Sequence, residues 1–179
     1  MSRLLPALIL SVVMAAAFCA CSNSLKPNGE TAASSPTPAG VPKTTSESVV
    51  KISVKSVEIP AGGVADATVH VTVQTGYHVN SNPPTYPYLK ATELHMADTD
   101  GISLKSVFYP KPLVRKFAFA EKPLHVYEGE TSLTVTLKAA PTAKKGQHPI
   151  PAKLSIQACD EQVCYPPGSK DIVIPVLIK

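Results

Sequence analysis

From Val49 onward, apolar and polar residues alternate along much of the chain. The alternation recurs over residues 50–54, 69–73, 133–137, 154–156 and 172–178. Because successive side chains of a strand point to opposite faces, this pattern predicts strands that each bury one face. Weaker strand patterns lie near Leu89–His95 and Ile102–Phe108. About seven short strands separated by Pro- and Gly-containing turns predict an all-β fold, a single antiparallel β-sandwich.

Composition agrees with a folded all-β domain. Of the 179 residues, 44% are hydrophobic, which is typical of a globular protein. The 18 prolines argue against an all-helical fold, because proline inside a helix removes a hydrogen bond. The formal charge of +4 is not concentrated in a Lys/Arg run or a basic–aromatic stripe, so the sequence does not support nucleic-acid binding.

The first 21 residues resemble an export signal. Arg3 supplies a positive charge, and the apolar stretch Leu4–Phe18 is shorter than the ~20 residues of a membrane span. Ala20 followed by Cys21 resembles the cleavage box of a bacterial lipoprotein. We therefore predict a lipoprotein-type signal peptide over residues 1–20 and lipidation of Cys21. Ordinary cleavage nearby is the alternative.

Residues 21–48 are predicted to form a disordered tether. Ser, Thr, Pro, Ala and Gly dominate this segment, and its large apolar residues are Leu25 and Val41. Such a stretch cannot bury enough surface to offset its ordering entropy. A flexible chain of this length spans about 30 Å, which is enough to raise a domain above a membrane. The folded domain is predicted over residues 49–179.

The informative segment is Gln157–Pro167, where four residues separate Cys159 from Cys164. In an exported protein such a pair can form a disulfide. Closing so small a loop stabilises a fold by only about 2 kcal/mol, which disfavours a purely structural staple. Strand parity places Cys159 on the polar face, together with Ser155. We therefore expect an accessible, redox-active pair, with a structural staple as the alternative.

Other residues near and outside this segment refine the expected chemistry. Asp160 and Glu161 disfavour a thiolate at Cys159, because like charges raise the pKa of a thiol. We expect a pair that reacts mainly once a docked partner changes its surroundings. The 5 histidines and the cysteine spacing form no zinc pattern, so no metal is predicted. The sequence also contains no Gly-rich phosphate-binding loop.

The proline–aromatic segment 82–88 predicts a rigid surface turn, with a partner-docking edge as the alternative.

The stretch Cys-Asp-Glu-Gln-Val-Cys-Tyr-Pro-Pro at residues 159–167 resembles the active-site segment of the N-terminal periplasmic domain of DsbD, a transmembrane thiol:disulfide interchange protein. The resemblance covers residues 49–179 and implies an immunoglobulin-like β-sandwich. It also implies periplasmic disulfide exchange between a membrane electron donor and thioredoxin-fold partners, without a cofactor. By analogy with the family, Cys164 becomes linked to the partner and Cys159 resolves the mixed disulfide.

Two more segments resemble this family. Residues 76–80, Gly-Tyr-His-Val-Asn, are similar to a Gly-Tyr-Tyr-Leu-Tyr stretch whose aromatic residues flank the cysteines. His78 is expected to be a structural histidine rather than a proton carrier. Phe117 matches the phenylalanine of a cap loop that shields the disulfide, and a plain core position is the alternative. The residues expected to shape the site are Tyr77, His78, Phe117 and Tyr165.

Two departures from the family change what is expected. Arg115 and Lys116 stand where the family has acidic residues before the cap phenylalanine. The sequence also ends at Lys179 without a transmembrane channel or a thioredoxin-like domain. We therefore expect a stand-alone, lipid-tethered module that receives electrons from a separate protein. The competing class is a non-catalytic, immunoglobulin-like binding module with a structural hairpin disulfide.

Overall fold

The structure is a computed structural model that describes residues 43–179. The predicted signal peptide, the lipidation residue Cys21 and most of the predicted tether lie outside these residues. Residues 43–179 contain no helix, and therefore no helical membrane span is found among them.

Twelve β-strands make up the described part of the chain. They are β1 (Val50–Val54), β2 (Val57–Ile59), β3 (Val64–Val73), β4 (His78–Asn80), β5 (Glu93–Met96), β6 (Ile102–Phe108), β7 (Leu113–Arg115), β8 (Leu124–Tyr127), β9 (Glu130–Ala139), β10 (Gly146–Ile156), β11 (Ala158–Cys159) and β12 (Gly168–Ile178).

The strands form three sheets. Their orders are β1-β3-β9-β6, β2-β12-β10-β5 and β11-β4-β8-β7. Neighbouring strands are antiparallel except β2 and β12, which run parallel. One core of buried side chains joins the first two sheets, with Val69 and Leu133 from the first and Leu154 and Ile174 from the second. This arrangement confirms the predicted all-β fold, an immunoglobulin-like β-sandwich.

The alternation of the sequence accounts for the long strands. In β3 and β9 the valines and leucines at every second position are buried, and Val69 lies directly opposite Leu133. The prediction near residues 89–95 was partly wrong, because the strand there begins only at Glu93. The strands of the third sheet were not predicted individually, since strands of two to four residues are too short to show alternation.

The third sheet places the cysteine segment at one end of the sandwich. Gln157 separates β10 from β11, so the chain leaves the second sheet and enters the third at this residue. β11 then pairs with β4, and β4 pairs with β8. A second, smaller apolar cluster supports this sheet, with Phe117, Leu124 and Val126 at its centre.

The packed domain begins before the predicted boundary at Val49. Ser46 is fully buried; its Oγ donates to the carbonyl oxygen of Pro166 at 2.7 Å and accepts from the Ala158 amide at 3.0 Å. The Glu47 carboxylate accepts from the Ser169 amide at 3.1 Å. The assignment of these residues to a disordered tether was therefore wrong, because their polar groups hydrogen-bond the backbone on both sides of the cysteine loop.

Candidate functional site

Cys159 and Cys164 form a disulfide within a small hairpin. The two residues lie opposite each other as an antiparallel bridge, with their Cα atoms 3.9 Å apart. Two backbone hydrogen bonds close the hairpin. One runs from the Asp160 amide to Val163 at 2.9 Å, and the other from the Tyr165 amide to Ala158 at 2.8 Å.

The two cysteines differ in their exposure to solvent. Cys159 is 0% exposed, whereas Cys164 is partly exposed. The prediction of an accessible Cys159 was therefore wrong. Strand β11 does not continue β10 but belongs to the third sheet, where Cys159 lies between two cross-strand neighbours, Cys164 and His78. Its side chain thus lies between protein groups instead of facing solvent.

Cys164 lies at the wall of an open groove with a volume of about 650 Å³. Aromatic residues of two loops form much of this groove. Tyr86 and Tyr88 stack with their ring centroids 5.1 Å apart, and Phe119 faces them from the other loop. Tyr88 is 76% exposed and Val163 is 51% exposed, so the surroundings of Cys164 present apolar surface to solvent. The predicted rigid turn at residues 82–88 therefore also forms one wall of the site.

Asp160 holds the cysteine hairpin in place. Its Oδ1 accepts from the amides of Gln162 and Val163 at 2.8 Å each, and its Oδ2 accepts from the Tyr165 hydroxyl at 2.6 Å. The hydrogen bond from Tyr165, followed by that from the Gln162 amide, lowers the pKa of Asp160. The same contact is the main reason that the pKa of Tyr165 is raised to about 12.

Replacing Asp160 by alanine is expected to release this hairpin, at a local cost of about 2 kcal/mol for the lost hydrogen bonds to a charged group. Because folding lowers the pKa of Asp160, the stabilisation is fully present above the ordinary carboxyl pKa and is lost as pH falls through the lowered value. Hydrogen exchange at the Gln162 and Val163 amides measures this loss. The variant Glu161→Ala is the matched control, and equal protection in both variants would contradict the assignment.

Gln157 is a site residue that sequence reasoning missed. Its Oε1 accepts from the Lys90 amide at 2.8 Å and from Asn80 Nδ2 at 3.1 Å, and its Nε2 donates to the carbonyl oxygen of Tyr165 at 3.2 Å. One side chain thereby ties the aromatic loop to the segment that follows Cys164. The sequence signal was weak, because a single polar residue that ends an alternating strand resembles any solvent-facing glutamine.

His78 is buried beside the disulfide. It lies directly opposite Cys159 in the β4–β11 pair and is 2% exposed. Its ring stacks on Phe117 with the centroids 4.1 Å apart. Burial lowers the pKa of His78, and the carboxylates of Glu128 and Asp160 offset part of that shift. The imidazole is therefore neutral at pH 7.

Phe117 lies in the loop of the β7–β8 hairpin. It is 4% exposed and stacks on Phe119 as well as on His78. A turn closed by the Ala120 amide and the Phe117 carbonyl oxygen, at 3.2 Å, sets its position. Arg115 donates from Nε and Nη2 to the Glu128 carboxylate at 3.1 Å, which joins β7 to the residue that follows β8.

The structure brings the sequence-predicted site residues together around the disulfide. Tyr165 directly follows Cys164, and its ring lies with its centroid 6.0 Å from that of Tyr77. His78, directly opposite Cys159, stacks on Phe117. The role of Phe117 as a cap stays a prediction. A hairpin disulfide with one buried and one partly exposed cysteine, at the wall of an apolar groove, is an arrangement suited to exchange with another protein.

Comparison with known families gives one match that covers most of the chain. The family described as thiol:disulfide interchange protein DsbD, N-terminal, matches residues 37–175. A search of curated proteins finds no match to this chain.

Solved structures are similar at low sequence identity. One is the N-terminal periplasmic domain of ScsB from Proteus mirabilis, with 16% identity and a TM-score of 0.48; the match covers 70% of this chain and 44% of that chain. Another is the fimbrial subunit AggA from Escherichia coli, with 11% identity and a TM-score of 0.33, covering 73% and 94%. A family 123 glycoside hydrolase from Clostridium perfringens has 13% identity and a TM-score of 0.26, covering 73% and 28%.

Proposed function

The chain belongs to the family of the N-terminal domain of the thiol:disulfide interchange protein DsbD, and from this premise we propose that Cys159 and Cys164 exchange disulfides with thioredoxin-fold partners in the periplasm. In this proposal the domain carries electrons between a membrane electron donor and those partners. The partners, the donor and the compartment are part of the proposal, as is anchoring of the chain to a membrane through lipidated Cys21.

One observation supports this function and the proposed roles of the two cysteines. Cys159 is fully buried, whereas Cys164 is partly exposed in a groove with exposed aromatic side chains. A partner thiolate needs access to the sulfur that it attacks. Cys164 is therefore the sulfur that becomes linked to the partner, and Cys159 is the sulfur that leaves and later resolves.

The exchange proceeds in two balanced steps. A partner thiolate attacks Cys164 Sγ; a bond forms between these sulfurs, the Cys164–Cys159 bond breaks, and Cys159 leaves as a thiolate. The second thiol of the partner then loses its proton and attacks the partner sulfur of the mixed disulfide, which frees Cys164. The partner ends as a disulfide and the domain as a dithiol, and the reverse sequence passes two electrons to an oxidised partner.

A trapping experiment tests this assignment. In the variant Cys159→Ser, Cys164 is labelled with 5-thio-2-nitrobenzoate and then mixed with a thioredoxin that keeps only its nucleophilic cysteine. We expect rapid release of the label and a mixed disulfide that is stable on a non-reducing gel. In the matched variant Cys164→Ser, labelling of Cys159 is expected to be about a hundredfold slower, because access requires local opening that costs a few kcal/mol.

The competing binding module makes the opposite prediction. If both variants fold, as circular dichroism shows, but labelled Cys164 forms no mixed disulfide with the thioredoxin, the pair is structural. Equal reactivity of the two cysteines would contradict the assignment of Cys164 as the partner-linked residue.

A further inference from the structure

His78 has a buried nitrogen that the fold does not use. Its Nε2 is buried and has no hydrogen-bond partner among the described residues. Burying a polar atom without a partner costs free energy, and most buried polar atoms are therefore hydrogen-bonded. An unpaired nitrogen on the residue directly opposite Cys159 is available to a group that becomes a donor in the reduced state.

The β-sheet register identifies that group. His78 is directly opposite Cys159 on one side, and Cys164 is directly opposite Cys159 on the other. Directly opposed residues of antiparallel strands point to the same face, with their Cβ atoms about 5 Å apart. The three side chains thus form one row across the sheet, in which Cys159 lies between the imidazole and the partner-linked sulfur.

We propose that the His78 imidazole is the internal proton acceptor and donor of Cys159, and this inference rests on the proposed exchange function. In the mixed disulfide of Cys164 with a partner, Nε2 accepts the proton of the buried Cys159 thiol. The resulting thiolate attacks Cys164 Sγ, the Cys159–Cys164 bond forms, and the partner sulfur leaves as a thiolate. The imidazolium then gives its proton to water or to that leaving thiolate.

The reverse direction uses the same pair. When a partner thiolate attacks Cys164, the Cys159 thiolate is released in a fully buried position. A buried, unpaired anion is costly, and a proton or hydrogen bond from Nε2 offsets that cost. The neutral state of His78, which follows from its burial, leaves the nitrogen free to accept a proton at pH 7.

Two of the other ionisable groups around His78 are engaged in hydrogen bonds. Glu128 accepts from Arg115, and Asp160 accepts from Tyr165. The cavity beside His78 is also lined by further ionisable residues, namely Tyr77, Lys116 and Glu161. Because histidine is the side chain that ordinarily changes charge between about pH 5 and pH 8, a transition in that range is assigned to the imidazole.

Two-phase kinetics of the reduced full-length chain test the proposal. Cys164 reacts first with 5,5'-dithiobis(2-nitrobenzoate) and releases one thionitrobenzoate, at a rate that depends on the reagent concentration. Cys159 then attacks the labelled Cys164, which closes the disulfide and releases the second thionitrobenzoate at a rate that does not depend on the reagent concentration. In the wild-type chain, the closure rate is expected to rise with deprotonation of His78. In His78→Gln it is expected to fall about a hundredfold at pH 7, the usual effect of removing a general base. Its pH midpoint is then expected to move up to about 8.5 or above, as for an unassisted thiol.

Two variants separate proton transfer from packing. His78→Phe keeps a ring against Phe117 without a nitrogen, and we expect it to close as slowly as His78→Gln. His125→Gln, at an exposed histidine of the neighbouring strand β8, is the matched control and is expected to close at the wild-type rate. Closure of His78→Phe at the wild-type rate, with the wild-type pH profile, would show that the ring only packs and would overturn the proposal.

A measurement on the wild-type chain covers the case in which these variants do not fold. The pH titration of the His78 ring by NMR is expected to share its midpoint with the closure phase, and different midpoints would overturn the proposal. Failure of the proposed function itself has a different signature, because labelled Cys164 would then form no mixed disulfide with the thioredoxin, while both phases of the wild-type chain would remain.

Discussion

Replacing Phe117 by alanine is expected to lower the free energy of unfolding by about 3 kcal/mol and to speed reduction of the disulfide by about tenfold or more. The side chain is 4% exposed and belongs to the small cluster with Leu124 and Val126, so its removal leaves a cavity under the β7–β8 hairpin. Loss of its stack on His78 also uncovers the residue beside Cys159. Opening of this hairpin then becomes more frequent.

The two effects are measured separately. Denaturant unfolding gives the change in stability, and reduction by dithiothreitol, followed by alkylation and mass spectrometry, gives the rate at the disulfide. Phe117→Leu is the matched control, because it keeps an apolar side chain of similar volume and is expected to change both quantities much less. If Phe117→Ala lowers stability while the reduction rate stays unchanged, Phe117 is a core residue and not a cap.

Replacing Ser46 by alanine is expected to destabilise the domain by about 1–3 kcal/mol, which is large for the loss of one hydroxyl group. The Ser46 hydroxyl hydrogen-bonds both the Ala158 amide and the carbonyl oxygen of Pro166. Alanine would leave the buried Ala158 amide unpaired, at a cost of about 1–3 kcal/mol, and would also remove the part-buried bond to Pro166. Because these groups flank the two cysteines, we also expect a less ordered disulfide hairpin.

Thermal and denaturant unfolding of the full-length chain measure the effect of Ser46→Ala. Ser53→Ala, at an exposed position of β1, is the matched control and is expected to change stability by less than about 0.5 kcal/mol. Equal stability of the two variants would show that the segment before Val49 does not contribute to the fold.

The long strands could be predicted from the sequence because each buries one face against the other sheet. Val69, Leu133 and Leu154 lie on such faces, and alternation marks them without knowledge of the partner strand. The cysteine hairpin could be located for a different reason, since two cysteines before a pair of prolines are rare enough to be recognised. The fold class and the family followed from these two signals.

The buried position of Cys159 could not be predicted from alternation. Parity places Cys159 on the polar face only if β10 continues through Cys159. The chain instead passes at Gln157 into a third sheet whose strands have two to four residues. Whether a strand residue such as Cys159 is covered by other strands depends on contacts between residues that are distant in sequence. The roles of Ser46 and Gln157 could not be predicted for the same reason, because their hydrogen-bond partners lie far along the chain. From composition alone, the segment around Ser46 resembles a linker, and Gln157 resembles a surface residue.

The reduction potential of the Cys159–Cys164 pair tests the central claim most directly. It is measured by equilibrating the full-length chain with defined ratios of reduced and oxidised glutathione or dithiothreitol and quantifying the free thiols. A disulfide that exchanges with thioredoxin-fold proteins is expected to have a potential above about −300 mV, within the range of those partners. A potential below this value would place the pair among structural disulfides and contradict the account.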